Sequence, residues 1–178
     1  MKRLLLNQAP HSWGFLFIGN MLFFNKQKGL IMKLYSFIIF LMIIGCGDQG
    51  REVTYLQSEE YEKNNFPFSE AVRYGDILYL SGQVGSISDD MNVLVEGGIG
   101  PETKQTMTNI KATLEKYGAT MDDVIKCTCM LADIEDWSLM SEEYIKFFPN
   151  HKPARSTFAG SGLALEARVE IECMAKIR

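Results

Sequence analysis

The chain has 178 residues, of which 47% are hydrophobic and 22% are charged, a balance that is ordinary for a globular domain with a core. The net charge is −4, but five of the 18 basic residues lie before residue 46, where no acidic residue occurs, so the remainder holds 13 basic residues against 22 acidic ones. This acidic balance, without a run of Lys or Arg, argues against binding to nucleic acid, which requires a basic surface.

The segment that begins at Met32, "MKLYSFIIFLMIIGC", has the pattern of a bacterial export signal. Lys33 supplies a positive charge, and the apolar run at 34–44 is short for a bilayer span. Its end, "IIGC", resembles the lipobox of bacterial lipoproteins, in which the cysteine is lipidated. We therefore expect residues 32–46 to be a lipoprotein-type signal peptide, with Cys46 lipidated and the domain exported and anchored to a membrane. The alternatives are an ordinary cysteine in a signal anchor and a cytoplasmic protein.

Residues 1–31 contain a second apolar run, "SWGFLFIGNMLFF", ahead of this signal. Export signals are not normally preceded by another apolar run. We therefore interpret residues 1–31 as an upstream extension, with translation starting at Met32; the alternative is two membrane-inserted segments. Residues 47–65 are mostly polar, and we expect them to form a polar tether to a domain at residues 66–178.

The domain begins with two predicted short strands in "AVRYGDILYL", separated by a tight turn at Gly75. A Gly-rich loop, "EGGIGPE", then precedes "TKQTMTNIKATLEKYGA". In that stretch Met107, Ile110 and Leu114 recur at helical spacing, which predicts a helix with one apolar face. Gly118 is suited to end it.

The second half of the domain alternates in the same way between strand and helix. A β-rich run, "DVIKCTCMLADI", is followed by "EDWSLMSEEYIKFF", which has helical spacing through Trp137 and Tyr144. The closing "RVEIECMAKI" alternates, with apolar side chains on one face and Glu170 and Glu172 on the other. The order of elements predicts an α+β domain, with two helices packed on one face of a mostly antiparallel or mixed sheet.

Three cysteines, Cys127, Cys129 and Cys173, lie in these predicted strands. They lack the partnering histidines of a zinc site, so we expect no metal. Cys127 and Cys129 are two residues apart and share one strand face, too close for an easy disulfide within the strand. We therefore expect buried free thiols.

Four stretches of the domain together carry a family resemblance. "YLSGQVG", "NIKATLEKYGATMDDVIKCTCMLADIEDW", "YIKFF" and "KPARSTF…GLALEARVEIECMA" resemble the Rid family, the YjgF-like reactive intermediate deaminases. The resemblance covers roughly residues 66–178, and the combination of "PARS" with "VEIE" is its most specific part. It implies a chorismate-mutase-like fold and a homotrimer with pockets between subunits. It also implies hydrolysis of 2-imino or 2-enamino acids to 2-oxo acids and ammonia without a cofactor.

The resemblance further implies which residues act. Arg155 matches the arginine that grips the substrate, and a guanidinium fork suits a carboxylate. Glu170 matches the glutamate that positions or activates the hydrolytic water. Ser81 and Gly82 match the loop that lines the pocket. Taken without the motif, Arg155 would be interpreted as part of a surface ion pair and Glu170 as part of a solvated strand face.

The chain departs from the family pattern at three pocket positions. Phe68 stands where active members often have tyrosine, Ser141 where they have asparagine, and Thr157 where a cysteine is common. These changes bear on substrate range and rate. Phe68 and Ser141, together with the export signal, favour an alternative function as a non-catalytic trimeric module that binds a small carboxylate or a partner. A ribonuclease is a third interpretation, which the acidic balance and the presence of only two histidines, His11 and His151, disfavour.

Overall fold

The computed structural model describes residues 52–87 and 90–177. The predicted upstream extension, the signal peptide and the lipidation site at Cys46 lie outside the described residues. Within the described ranges, no helix combines the length and the apolar character that a bilayer crossing requires.

The domain is built on a six-stranded mixed sheet with the strand order β1-β2-β3-β8-β6-β7. All neighbouring strands in it are antiparallel except β6 and β7, which are parallel. The remaining two strands, β4 and β5, pair with each other in a separate ladder. In chain order the strands are β1 (Val53–Leu56), β2 (Ala71–Tyr74), β3 (Ile77–Leu80), β4 (Ser86–Ile87), β5 (Asp90–Leu94), β6 (Val124–Leu131), β7 (Ala154–Ala159) and β8 (Val169–Lys176).

Two longer helices, α2 (Ile99–Lys116) and α3 (Trp137–Tyr144), cover one face of this sheet, after a short α1 (Glu59–Lys63). The predicted apolar stripe of α2 is confirmed, because Met107, Ile110 and Leu114 are fully buried in the core. Gly118 follows the helix with a φ of 82°, a left-handed conformation that glycine adopts without strain. The observed α+β architecture is the one predicted from the order of elements.

The prediction of a polar tether is wrong from Val53 onward. Residues 53–56 form β1, which pairs with β2 at the edge of the sheet. Helix α1 follows, with the Ser58 side chain accepting a hydrogen bond from the Tyr61 backbone N–H at 3.4 Å. The Tyr61 side chain is buried, and its hydroxyl accepts a hydrogen bond from Gln83 Nε2 at 3.0 Å. The polar composition of this segment reflects an edge strand and an exposed helix face, and its few apolar side chains join the domain.

Strand β8 has the two faces that its alternating sequence predicts. Val169, Ile171, Cys173 and Ala175 are buried against the helices, whereas Glu170 and Glu172 are half-buried on the opposite face. We call that opposite side of the sheet the open face, since neither long helix covers it. It also carries exposed aromatic side chains, among them Tyr55, Tyr79 and Phe158.

The prediction of free thiols is wrong for two of the three cysteines. Cys127 on β6 lies directly opposite Cys173 on β8, and the two form a disulfide with a Cα–Cα distance of 4.2 Å. The spacing of the cysteines along the chain does not predict this pairing, because the pairing depends on the register between β6 and β8, and the two cysteines are 46 residues apart. Cys129 is a buried free thiol, as predicted, and burial raises its pKa to about 11.

A buried carboxylate fixes the beginning of β8. Glu102, in the first turn of α2, accepts hydrogen bonds at its Oε1 from the backbone N–H groups of Arg168 at 2.7 Å and Val169 at 3.3 Å. The Arg168 side chain in turn donates two hydrogen bonds to Asp136, which directly precedes α3. Both long helices are therefore tied to the strand that carries Glu170.

Candidate active site

Arg155 projects from β7 toward helix α3, on the same side of the sheet as the core. It lies beside Cys127 in the parallel ladder, so its side chain shares the helix-covered face. Its guanidinium carbon lies 5.4 Å from the ring centroid of Trp137 and 4.9 Å from that of Tyr144. These aromatic contacts stabilise a cation through its flat faces. The edge of the guanidinium, with its N–H donors, has no hydrogen bond or ion pair to any residue that the structure describes.

A cavity of about 560 Å³ opens at Arg155. Trp137, Tyr144, Ile145 and Pro153 give it a largely apolar wall, and its charged lining residues are Arg155, Lys152 and Glu142. A concave apolar site with a few convergent polar groups is the usual form of a small-molecule pocket. An unpaired guanidinium in such a site is suited to a ligand with a planar anionic group, such as a carboxylate.

Two hydroxyl groups near Arg155, those of Ser141 and Tyr144, are buried and have no hydrogen-bond partner within the described ranges. The Thr157 hydroxyl is also buried, and it interacts with the thiol of Cys129. Ser141 and Tyr144 lie three residues apart on α3 and both line the cavity, and Thr157 follows Arg155 on the same face of β7. Buried polar groups without partners are rare in native proteins, and they are typical of sites that bind a polar ligand or water. The structure therefore brings together three predicted residues, Arg155, Ser141 and Thr157. We call this group the arginine half-site.

Among the other predicted residues, Gly82 lies directly against Glu170, Ser81 is its neighbour in the chain, and Phe68 belongs to the adjoining loop. A Cβ atom added to Gly82 would lie 2.9 Å from Cδ of Glu170, so any larger residue at this position would displace the carboxylate. The neighbouring Ser81 hydroxyl donates to the backbone carbonyl of Ser69 at 2.6 Å, which fixes the loop next to Phe68. The Phe68 ring is half exposed and stacks on Phe66 at 5.3 Å. We call Glu170, Gly82, Ser81 and Phe68 the glutamate half-site.

Two effects raise the pKa of Glu170. Partial burial disfavours the charged carboxylate, and the negative charge of Glu172, two residues away on the same strand face, disfavours it further. A carboxylate with a raised pKa is a better proton acceptor than an ordinary surface glutamate. Glu170 therefore has the electrostatic character of a general base.

The two half-sites lie on opposite faces of the sheet within one protomer. Cys129 of β6 pairs with Thr157 on the helix-covered face, and the next residue, Met130, pairs with Glu170 on the open face. Side chains that are directly paired share a face, and successive side chains of a strand point to opposite faces. Arg155 and Glu170 of the same protomer therefore cannot approach the same small ligand.

The sequence analysis missed the role of two aromatic residues. Trp137 and Tyr144 were assigned to the apolar face of a helix, and Tyr144 is indeed buried, but Trp137 is 45% exposed and faces Arg155. Their spacing of seven residues puts both on one side of α3, which is the signal that could have linked them to the arginine. Among the described residues, no cluster of His, Cys, Asp and Glu side chains could hold a metal ion.

Comparisons with known proteins match this domain to one family. A family described as Endoribonuclease L-PSP matches residues 62–177. "Reactive Intermediate Deaminase A, chloroplastic" from Arabidopsis thaliana is 37% identical over 111 residues, which are 62% of this chain and 59% of that protein. "2-Iminobutanoate/2-iminopropanoate deaminase" from Dermatophagoides farinae is 40% identical over 62% of this chain and 86% of its own length.

The fold comparison gives the same result. The solved structure of a protein of unknown function of the conserved Rid family from Yersinia pestis superposes with a TM-score of 0.65 at 33% identity. The superposition covers 71% of this chain and all of the Yersinia pestis chain. Since the sequence match extends over nearly the whole described domain and the fold agrees, the chain belongs to the Rid (YjgF-like) family, the family described as Endoribonuclease L-PSP.

Proposed function

We propose that the protein hydrolyses reactive 2-imino or 2-enamino acids to 2-oxo acids and ammonia. The observation that carries this proposal is the unpaired Arg155 guanidinium, which lies over two aromatic rings and lines a largely apolar cavity. The deaminase names of relatives at 37% and 40% identity support the same reaction class.

In the proposed reaction, Arg155 binds the substrate carboxylate and holds the adjacent C2 carbon in place. An enamine first tautomerises to the imine, whose protonated C=N bond is electrophilic at C2. Glu170 takes a proton from a water molecule as the water oxygen forms a bond to C2. The proton on Glu170 then passes to the nitrogen. Glu170, ionised again, accepts the proton of the new hydroxyl as the C=O bond of the 2-oxo acid forms, the C–N bond breaks and ammonia leaves; this proton then passes to the ammonia. One water molecule is consumed for each ammonia released.

A complete site requires two protomers under this proposal. Because the half-sites lie on opposite faces of one sheet, the arginine half-site of one copy has to meet the glutamate half-site of another. A homotrimer with three such junctions satisfies this requirement by closed symmetry. The exposed aromatic side chains of the open face, Tyr79 at 39% and Phe158 at 51%, favour burial against another copy.

The test is an assay of ammonia release with the purified full-length chain. A 2-imino acid is generated in the assay from 2-aminobutanoate by an amino acid oxidase, and its decay is compared with and without the protein. We expect acceleration by the wild type and none by Arg155→Ala. Arg155→Lys is the matched control, because it keeps the charge but loses the bidentate fork, and it should retain weak activity. Equal rates for wild type, Arg155→Ala and buffer would overturn the deaminase proposal.

A second candidate is a non-catalytic module that binds a small carboxylate. Phe68 favours it, because a phenylalanine at this position of the glutamate half-site offers no hydroxyl to a substrate or a water. Saturable binding of 2-oxobutanoate that depends on Arg155, without any acceleration of imine decay, would select this function. Ribonuclease activity has no comparable support from the site, whose cavity has a largely apolar wall and no histidine among the described residues that line it.

We also propose that the domain is exported and attached to a membrane through a lipid on Cys46. The lipobox-like "IIGC" supports this attachment, and the disulfide between β6 and β8 is typical of proteins in oxidising compartments. Metabolic labelling with a radioactive fatty acid tests the proposal in a bacterial host. Label should be incorporated by the wild type and by Cys129→Ser and lost in Cys46→Ser; equal labelling of all three, or of none, would contradict it.

A further inference from the structure

We propose that the hydroxyl of Tyr144 is a further substrate-binding group, which donates a hydrogen bond to the carboxylate held by Arg155. This inference rests on the proposed function, since it takes the ligand of the arginine half-site to be a carboxylate. It adds a specific contact that neither the motif nor the apolar spacing of α3 indicates.

The first observation is the burial of a polar atom without a partner. Tyr144 is 4% exposed, and its hydroxyl makes no hydrogen bond within the described part of the chain. Burial of an unpaired hydroxyl is unfavourable, so such a group is retained where something compensates for it. The Tyr144 ring already packs on Phe148 at a centroid distance of 4.9 Å, a contact that a phenylalanine would make equally well.

The second observation is the position of the ring. The Arg155 guanidinium lies over the Tyr144 ring, with its carbon 4.9 Å from the ring centroid, and Tyr144 contributes to the wall of the same 560 Å³ cavity. Trp137, whose ring centroid lies 5.4 Å from the same carbon, lines this cavity as well. A carboxylate that binds Arg155 in this cavity therefore lies near the Tyr144 ring, and we place one of its oxygens at the Tyr144 hydroxyl.

The electrostatic environment keeps this hydroxyl protonated. Burial raises the pKa of Tyr144, the nearby Cys129 raises it further, and Arg155 opposes the shift without reversing it. Tyr144 therefore acts as a hydrogen-bond donor at neutral pH, which matches the acceptor-only character of an ionised carboxylate. Ser141, one turn earlier on α3, offers a second hydroxyl to the same cavity.

The experiment compares Tyr144→Phe with Tyr55→Phe, a control at a 72% exposed tyrosine on the edge strand β1. Isothermal titration calorimetry measures the affinity of the full-length proteins for 2-oxobutanoate and for propanoate, which shares only the carboxylate. We expect Tyr144→Phe to lower the binding affinity for both ligands about tenfold, the usual effect of losing one hydrogen bond to a charged group. We expect KM to rise by the same factor with kcat nearly unchanged, because the contact is equal in the ground and transition states.

Thermal unfolding separates this role from a structural one. Removal of an unsatisfied buried hydroxyl should leave the Tm of the ligand-free Tyr144→Phe protein equal to or above that of the wild type. Unchanged affinity for both ligands would overturn the inference, and so would weaker binding of 2-oxobutanoate alone. A wild type that binds both ligands without deaminating an imine contradicts the proposed function and still leaves the Tyr144 contact measurable. A wild type that binds neither overturns both.

Discussion

The placement of Arg155 and Glu170 on opposite faces predicts that two inactive variants restore each other. Arg155→Ala removes the proposed carboxylate clamp, and Glu170→Gln removes the proposed general base. In the proposed trimer each site takes its arginine from one protomer and its glutamate from the next. Random assembly of equal amounts of the two variants therefore makes about a quarter of the sites fully wild type, since each of the two contributors is intact with a probability of about one half.

Co-expression of the two variants in equal amounts, with purification that does not select for mixed trimers, provides the random assembly for the imine-decay assay. Each variant purified alone, and the two mixed only after purification, serve as controls. A second mixture contains wild type and the Arg155→Ala/Glu170→Gln double variant in equal amounts, and it should retain about a quarter of the wild-type activity. A site contained within one protomer would instead give no recovery in the first mixture and about half of the activity in the second. That pair of results would refute the assignment of the half-sites to different protomers.

Three further predictions follow from individual contacts. Glu172→Gln removes one of the two causes that raise the pKa of Glu170 above the ordinary value of 4.5. The acidic limb of the pH profile of kcat/KM should therefore shift to lower pH. A limb that stays in place or shifts upward would rule out Glu172 as a cause of the raised pKa. Gly82→Ala places a methyl group against the Glu170 carboxylate and should lower kcat at least tenfold with little change in carboxylate affinity, which calorimetry and kinetics measure together. The disulfide between β6 and β8 closes a loop of 46 residues. Its reduction should lower the free energy of unfolding, measured by urea titration, by about 3–4 kcal/mol. An equal urea midpoint with and without reductant would contradict a stabilising role of the disulfide.

Local periodicity predicted the elements that have one buried face. The helical spacing of Met107, Ile110 and Leu114 identified α2, and the alternation around Glu170 and Glu172 identified both faces of β8. These patterns succeed because each element has to bury its own apolar side chains whatever its partners are. The family motif added Arg155 to the candidate site, and the structure brings Arg155 together with Ser141 and Thr157.

The features that the sequence did not predict all depend on partners that are distant along the chain. The disulfide of Cys127 with Cys173 depends on the register between β6 and β8, which the sequence of neither strand predicts by itself. The segment at 53–63 reads as polar because β1 has only one neighbouring strand, β2. The assignment of Arg155 to one face and Glu170 to the other requires the parallel pairing of β6 and β7 in addition to the alternation within each strand.

The hydrogen bonds from Arg168 and Val169 to Glu102 have a consequence for how the sheet assembles. At this end of β8 a side-chain carboxylate takes the place of a neighbouring strand and holds the strand at one position. A slip of β8 by a single residue would turn Glu170 and Glu172 into the core, where unpaired carboxylates are strongly unfavourable. The acidic pattern of β8 thus specifies alignment as well as chemistry, because the residue proposed to handle water also excludes the misregistered sheet.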